Sequence, residues 1–343
     1  MSKDLKPTQE NQIDLFGLDP IIDKNYSNTL EIHDLMSKYR YDKKTKYLVE
    51  ASASEIKMVR QMPYKNIQIK QTVRAAQIER TLPDGTKQDV FVQPGGREGV
   101  IEDVLKKMAT EKGRAILHEI EEGKLRGQKL VGLTFSLYEV FKECIRVESE
   151  LSYKGIREGL LIMHNANCTY ESDDESISSG ATILPVMKKV NGGNDAKEAY
   201  FICFHPMVTD VIYSKSFRRY NYVTALSYRS NYTGLLYKRL CHRWTQCSIE
   251  NPYNILLTTM IQAWKDPAKN FYHDKETFVK VMEELLEKEV LSRYEMTAKK
   301  DGKKITDWRF DLWPTEKFAK QIAANNKAFK KLLGEDEKLQ LSN

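Results

Sequence analysis

One segment of this 343-residue chain concentrates basic and aromatic side chains with no acids among them. Between Asp210 and Glu250 no acidic residue occurs, and the cations are Lys215, Arg218, Arg219, Arg229, Lys238, Arg239 and Arg243. Interleaved with them are the tyrosines Tyr213, Tyr220, Tyr222, Tyr228, Tyr232 and Tyr237. Taken singly, these residues fit a solvated helix face and a packed core, but a solvated face usually mixes both charge signs. The segment therefore predicts contact with the phosphate groups of a nucleic acid.

A second basic feature is a predicted hairpin in the C-terminal half. "SRYEMT" and "ITDWRFDLW" alternate polar and apolar residues as strands do, and "AKKDGKK" between them turns at Asp301 and Gly302. The turn is flanked by the lysines Lys299, Lys300, Lys303 and Lys304. Lysines at this place predict a phosphate contact, although lysine-rich hairpin tips also serve solubility alone.

The sequence contains no constellation typical of a catalytic or metal site. Its six histidines include no pair flanking one apolar residue, the arrangement that would hold a metal beside a nucleophilic tyrosine. "PGGREG" lacks the GK[ST] ending of a phosphate-cradling loop. Cys241, His242 and Cys247 match no standard zinc spacing. We therefore predict no enzymatic activity, no metal and no cofactor.

The elements that would position the basic residues are predicted in the same order in both halves of the sequence. In the first half, a hairpin turning at "LPDG" within residues 66–94 precedes a helix over 96–111. Apolar spacing predicts two more helices, capped by Ser136 and Ser152. The buried stripe of the first of these would be Leu137, Val140, Phe141 and Ile145. A two-stranded hairpin over residues 167–187 follows.

The second half repeats this order. The pattern predicts a helix over residues 230–244, a second that begins at Asn251 and a third that begins at Asp274, followed by the lysine hairpin. The cations expected to point largely outward from the first helix are Lys238, Arg239 and Arg243. Three helices followed by a hairpin form a winged helix.

The chain is therefore predicted to be an α+β protein with two tandem winged-helix domains after a flexible arm. The predicted boundaries are residues 1–62 for the polar arm, 63–212 for the first domain and 213–343 for the second.

The run "FRRYNYVTALSYRSNYTGLLYKRLCHRWTQCS" between the two winged helices resembles the Rep initiators of theta-replicating bacterial plasmids and bacterial secondary chromosomes. The resemblance covers roughly residues 63–320 and rests on element order and this basic segment. It implies binding to short repeats, called iterons, at a replication origin in double-stranded DNA. It also implies melting of the adjacent duplex, recruitment of a host initiator ATPase and the replicative helicase, and no enzymatic activity. It further implies a monomer–dimer equilibrium, because in this family monomers typically activate the origin and dimers repress it.

The resemblance places the third helix of each winged unit in a major groove, where exposed residues of its first turns meet base edges. In the first unit these residues are Ser152, Lys154 and Arg157. In the second unit they are Lys275, Thr277 and Lys280. The rest of this second helix is acidic, at Glu283, Glu284, Glu287 and Glu289. The tip of the hairpin over residues 167–187 is also acidic, so it is assigned to solvent or to a protein contact. Its acidic residues are Glu171, Asp173, Asp174 and Glu175.

The polar N-terminal stretch contains the apolar pentapeptide "QIDLF", residues 12–16. It is similar to the peptide that bacterial replication proteins insert into the polymerase sliding clamp, where a glutamine leads and a Leu-Phe pair fills an apolar cleft. The resemblance assigns these roles to Gln12, Leu15 and Phe16. A peptide that orders only on binding suits such docking. The alternative is that its apolar side chains pack against the first domain.

Two other classes of binding protein stay open from the sequence. A winged-helix transcriptional repressor fits tandem wings and a basic surface equally well, but it has no use for a clamp-docking peptide. An adaptor that binds RNA through the tyrosine-rich segment fits less well, because "FRRYNYV" lacks the two aromatic strand motifs of an RNA-recognition sheet.

Composition sets the broad class of the protein. With 41% hydrophobic and 30% charged residues, the chain is long enough for two packed domains. Its apolar runs are too short to span a bilayer, and "MSKDLKPTQENQ" has no apolar core of a secretory signal. Five cysteines without a CxxC pair suit a reducing compartment, so we predict a cytoplasmic location. A net charge of +6 fits a polyanionic partner.

Overall fold

The structure is a computed structural model that describes residues 25–41, 47–81, 84–111, 113–192, 194 and 196–340, with side chains to residue 331. The described chain divides into two compact units. The first comprises residues 25–27, 38–59 and 70–216. The second comprises residues 28–37, 60–69 and 217–340.

Helices and strands are mixed along the whole described chain. The strands are β1 (Tyr26–Leu30), β2 (Lys57–Tyr64), β3 (Ile67–Arg74), β4 (Ala76–Thr81), β5 (Lys87–Val92), β6 (Ala115–Glu119), β7 (Lys129–Ser136), β8 (Asn167–Ser172), β9 (Ser178–Thr182), β10 (Val186–Asn191), β11 (Ala199–Cys203), β12 (Phe217–Asn221), β13 (Tyr253–Leu256), β14 (Leu291–Asp301) and β15 (Lys304–Pro314). The helices are α1 (Glu31–Leu35), α2 (Ala53–Ile56), α3 (Gly96–Ala109), α4 (Leu137–Arg146), α5 (Tyr153–Asn165), α6 (Pro206–Tyr213), α7 (Tyr222–Leu226), α8 (Asn231–Arg243), α9 (Leu257–Trp264), α10 (Phe271–Glu287) and α11 (Glu316–Gln340).

The helices of the first unit form where capping and apolar spacing predict them. The hydroxyl of Ser136 accepts a hydrogen bond from the Glu139 N–H at 3.2 Å at the start of α4. The hydroxyl of Ser152 does the same for the Gly155 N–H at 3.1 Å at the start of α5. Helices α3 and α5 approach so closely that a Cβ added at Gly159 would lie 2.5 Å from the Ile101 side chain. Both predicted caps are confirmed.

The sheets of the first unit are larger than the sequence indicates. β8 and β9 form the predicted hairpin, but β8 also lies beside β3, so this hairpin is part of a wider sheet. A further sheet has the order β10-β11-β7-β6 and was not predicted. The predicted hairpin within residues 66–94 is confirmed only from Ala76 onward, where β4 pairs with β5. The residues before it belong to β3.

The second unit contains a three-stranded sheet with the strand order β13-β15-β14. Four apolar side chains of α10 are fully buried, as their spacing predicts, namely Phe278, Val281, Met282 and Leu285. β13 lies between α8 and α9 in the chain and pairs with β15, with Ile255 opposite Phe310. In this unit the helices α8, α9 and α10 are therefore followed by a hairpin, and β13, from between α8 and α9, completes the sheet of that hairpin.

Several predicted boundaries are wrong. The predicted arm is too long, because residues 26–62 already contain β1, α1, α2 and part of β2. The helix expected from Asn251 begins at Leu257, since Tyr253–Leu256 pair with β15 as a strand. The helix expected from Asp274 begins one turn earlier at Phe271. On α4, Ile145 is 57% exposed and the neighbouring Cys144 is buried in its place.

Candidate nucleic-acid interface

Helix α10 of the second unit begins in a loop that polar contacts fix in place. Its N-cap is Asn270, whose side-chain oxygen accepts a hydrogen bond from the Tyr272 N–H at 3.0 Å. The buried carboxylate of Asp274 accepts from the Ala268 N–H at 2.9 Å and pairs with Lys265 Nζ at 2.8 Å. Asp274 therefore holds the loop that leads into the helix instead of capping it.

The first turns of α10 expose side chains of several chemical types. Tyr272 is 52% exposed, and His273 Nδ1 lies 3.5 Å from the carboxylate of the exposed Glu276. Among the predicted base contacts, Lys280 is exposed, whereas Thr277 is half-buried and donates its hydroxyl to the His273 carbonyl at 2.8 Å. This face offers a phenol, an imidazole, a carboxylate and an ammonium group to base edges.

The hairpin of β14 and β15 carries four exposed lysines at its tip. They flank the turn at Asp301 and Gly302, and Gly302 has a φ of 57°, which glycine adopts without strain. In the register of the two strands, the backbone of Asp301 lies opposite that of Lys304. Among the described residues, no carboxylate lies within ion-pair distance of these ammonium groups, which belong to Lys299, Lys300, Lys303 and Lys304. They are free to contact phosphate.

A cation–π contact links the first turns of α10 to this hairpin. Lys275 Nζ lies 4.7 Å from the ring centre of Trp308, which stands opposite Ala298 in the hairpin. Such a cation–π contact contributes about 0.5–2 kcal/mol. The hairpin is also tied to α9, where Asp307 accepts the Thr258 hydroxyl at 2.5 Å. We call the combined face the α10–hairpin surface, which comprises Tyr272, His273, Lys275, Lys280, Lys299, Lys300, Lys303 and Lys304.

The acidic half of α10 is largely occupied by internal partners. Glu284 is buried and accepts the Thr233 hydroxyl at 2.5 Å. Glu287 pairs with Arg229, and Glu289, just after the helix, lies 3.2 Å from Lys317 Nζ. These carboxylates therefore hold α8 and α11 in place, and their repulsion of DNA is reduced.

Two cations of the basic segment are buried inside the second unit. Lys238 is 7% exposed and its Nζ lies 5.4 Å from the ring centre of Tyr220. Arg239 is 8% exposed and donates from Nε to the Tyr253 hydroxyl at 3.0 Å. Their predicted outward orientation is wrong, because α8 is packed around most of its circumference and its long side chains cover aromatic surface.

Two further cations of the segment have carboxylate partners. Arg243 Nη1 lies 3.6 Å from Glu31, and its guanidinium lies 5.3 Å from the Tyr64 ring centre. Arg229 is exposed but pairs with Glu287. A phosphate would have to compete with these carboxylates, so both arginines are weaker candidates than the hairpin lysines.

The carboxylate of Glu31 is charged at neutral pH. Burial raises its pKa, but the hydrogen bond and charge of His242 and the charge of Arg243 outweigh burial and hold the pKa at about 2. Burial lowers the pKa of His242, whose Nδ1 lies 2.7 Å from the Thr29 hydroxyl. This network fixes the C-terminal end of α8 to the segment that contains α1.

The remaining cations of the segment lie elsewhere. Arg218 stacks on Phe329 of α11, with the guanidinium carbon 3.7 Å from the ring centre, and burial lowers its pKa. The backbone carbonyl of Arg219 accepts from the Asn325 amide at 3.0 Å. Lys215 is half-buried at the end of the first unit. The structure thus brings Arg218 and Arg219 to α11.

In the first unit, helix α5 presents fewer available cations. Ser152 is the cap, and Lys154 is exposed with no carboxylate partner among the described residues. Arg157 Nε lies 3.1 Å from Glu198, and Lys189 Nζ lies 3.1 Å from the same carboxylate. The hydrogen bond from Arg157 is the main cause that lowers the Glu198 pKa to about 2, so this ion pair persists at neutral pH. Arg157 is therefore not free to meet a base.

The tip of the β8–β9 hairpin is acidic and internally organised. Asp174 accepts hydrogen bonds from the hydroxyls of Ser172 at 2.6 Å and Ser176 at 2.7 Å, and these bonds lower its pKa. Glu171 lies 3.8 Å from Lys70 Nζ and is exposed. This tip would repel phosphate, whereas the tip of the second hairpin would attract it.

Tyr272 and His273 are not among the predicted base contacts, because the sequence pattern places the start of α10 about one turn too late. Asn270 was the available signal, since asparagine is among the strongest N-cap residues. The predicted clamp residues Gln12, Leu15 and Phe16 lie outside the described residues.

Comparison with known proteins gives matches to solved structures only. No protein-family model and no curated protein matches the chain. A crystal structure of a selenomethionine derivative of domains 2 and 3 of RctB matches at 9% identity and a TM-score of 0.45, over 82% of this chain and 96% of that one. Another crystal structure of RctB domains 2–3 matches at 8% identity and a TM-score of 0.42, over 84% of this chain and 98% of that one. A crystal structure of the Pi initiator protein in complex with iteron DNA matches at 14% identity and a TM-score of 0.43, over 64% of this chain and 91% of that one.

The resemblance to replication initiators drawn from the sequence thus recurs among solved structures. In the described part of the chain, none of the helices is both long and apolar enough for a membrane span.

Proposed function

We propose that this chain is a replication initiator that binds short repeats in duplex DNA through the α10–hairpin surface of its second unit. The observation that carries the proposal is the coupling of an exposed helix N-terminus to a lysine-tipped hairpin through Lys275 and Trp308. A helix fits the major groove, which is about 12 Å wide, and its first turns then meet base edges. The hairpin lysines contact the flanking phosphates.

Both units are proposed to be winged helices. In the second unit the order is α8, β13, α9, α10 and the β14–β15 hairpin, with β13 completing the sheet of the hairpin. In the first unit, α3, α4 and α5 precede the β8–β9 hairpin. Its DNA contact is proposed to be limited to Lys154 and the N-terminal turn of α5, because Arg157 is held by Glu198.

Beyond binding, the proposed initiator promotes melting of the adjacent duplex and recruits host replication proteins, without a chemical step of its own. Residues 12–16 are proposed to dock on the polymerase sliding clamp. A peptide of residues 8–20 should bind the clamp, and the variant L15A/F16A should abolish that binding. Equal binding by both peptides would remove clamp docking from the proposal.

The proposal is tested by selecting bound duplexes from a random pool with the purified protein and sequencing them. Directly repeated sites spaced by about one or two helical turns would support an origin initiator. A single inverted repeat would instead favour the transcriptional repressor, and no enrichment would overturn sequence-specific duplex binding.

The base-reading role of α10 is tested on the selected site with the variant Y272A/H273A. Each lost base contact costs about 1–3 kcal/mol of discrimination, so the ratio of specific to nonspecific affinity should fall at least tenfold. The nonspecific affinity itself should change little, because these side chains are not cations. The matched control is E150Q, at an exposed position of the first unit, which should keep the ratio.

A further inference from the structure

Helix α11 carries a row of lysines that the α10–hairpin surface does not include. Between Lys317 and Lys331 this helix has five lysines and no acidic residue. Its buried side is Phe318, Ile322 and Asn325. The exposed side presents Lys320, Ala323, Ala324, Lys327, Lys330 and Lys331. A face that only needs solvent would mix both charge signs.

The row is available for an external anion. Lys320 has the exposed Glu316 as a partner at 3.4 Å, an i,i+4 pair that contributes only about 0.3–0.5 kcal/mol. Lys327 and Lys330 have no carboxylate within ion-pair distance among the described residues. The small side chains of Ala323 and Ala324 leave room for a close approach between the lysines.

The same end of α11 contacts the strand that carries Arg218 and Arg219. Arg218 stacks on Phe329, and Phe217 meets the same ring edge-on with the centroids 5.9 Å apart. Asn325 binds the Arg219 carbonyl. Strand β12, which carries Arg218 and Arg219, therefore packs against the buried side of α11 and holds the helix on the second unit with its lysine row outward.

We propose that this face, comprising Lys320, Lys327 and Lys330, is a second phosphate-binding surface that contacts the backbone of duplex DNA outside the segment held by the α10–hairpin surface. Helix α11 begins where β15 ends, at the opposite end of that strand from the lysine tip. Lys320 and Lys330 are about 15 Å apart along the helix. One DNA strand presents a phosphate about every 3.4 Å along the axis, so this length covers roughly four phosphates. The inference rests on the proposed function.

The test is the salt dependence of duplex binding by the full chain carrying K320Q/K327Q/K330Q. Each lost phosphate contact reduces the slope of log K against log salt concentration by about 0.9, so the slope should become shallower by about 2 to 3. The loss of binding affinity should be equal for selected and random duplexes, because backbone contacts carry no sequence information. A slope equal to that of the unmodified protein would overturn the inference.

Two control variants separate this outcome from others. K57Q/K142Q/K197Q changes the same net charge at exposed positions of the first unit and should keep the slope. K320R/K327R/K330R keeps the charges and should also keep the slope, and loss of slope in this variant would contradict phosphate contact. Failure of the proposed function would look different, since the unmodified protein would then select no duplex sequence at all.

Discussion

The two units share an order of elements but differ in the cations that remain available on their surfaces. In each unit three helices, α3 to α5 or α8 to α10, are followed by a hairpin, and the third of these helices begins at a capped, polar turn. In the first unit, Arg157 and Lys189 share the Glu198 carboxylate and the hairpin tip is acidic. In the second, the hairpin lysines have no carboxylate partner among the described residues. The same order of three helices and a hairpin thus carries opposite charges at the two hairpin tips.

The difference also shows why the charge of a sequence segment is a poor measure of its surface. The segment between Asp210 and Glu250 has no acids in its sequence, but the fold brings carboxylates to it from elsewhere. Glu31 reaches Arg243, and Glu287 reaches Arg229. What binds phosphate is the set of cations left over after internal pairing.

The largest expected effect comes from removing the hairpin lysines. The variant K299Q/K300Q/K303Q/K304Q should weaken duplex binding on the order of a hundredfold near 0.1 M salt and make the salt slope shallower by about 3 to 4. Fluorescence anisotropy with a labelled duplex over a salt series measures both. The variant with four arginines should bind as the unmodified protein does, and an unchanged slope in the glutamine variant would refute the role of the hairpin.

Removing Arg239 should affect folding instead of binding. Arg239→Ala loses a charge-assisted hydrogen bond to Tyr253 in a buried setting, so the free energy of unfolding should fall by roughly 2 kcal/mol. Urea unfolding measures this change, and Lys280→Ala, at an exposed position, serves as the control with little loss. A shallower salt slope with unchanged stability would show that Arg239 contacts phosphate after all.

Much of the second unit follows from its sequence. Alternation predicts the lysine hairpin, and helical spacing predicts the buried stripe of α10, because both depend on local periodicity. The start of α9 could not be predicted, since Tyr253–Leu256 become a strand only when β15 is beside them. The burial of Lys238 and Arg239 is likewise a tertiary effect, and so is the meeting of Arg218 with α11.

Releasing Arg157 should make the first unit more like the second. The folded pKa of Glu198, at about 2, lies below its ordinary value of 4.5, so the carboxylate is charged at neutral pH and its pairing is lost only as the pH falls toward 2. Glu198→Gln should therefore raise nonspecific duplex affinity by a few-fold at pH 7. Glu150→Gln makes the same charge change at an exposed position and should have a smaller effect. Equal effects of the two would mean that α5 does not approach DNA.

The smallest effect is expected at the acidic hairpin tip. The variant E171Q/E175Q removes two negative charges and leaves Asp174, which holds the turn through Ser172 and Ser176. If this tip lies away from DNA, duplex affinity should change by less than about twofold, since salt screening limits the range of interactions between surface charges to about 10 Å at 0.1 M salt. A tenfold gain would place the tip beside the duplex.

The most direct test of the central claim is lysine acetylation of the protein with and without its selected duplex, followed by mass spectrometry of each site. The account predicts strong protection of Lys280 and of the hairpin lysines, with much weaker protection of exposed first-unit lysines such as Lys142 and Lys197. Equal or stronger protection of the first unit, with the hairpin lysines still reactive, would contradict the assignment of duplex binding to the second unit.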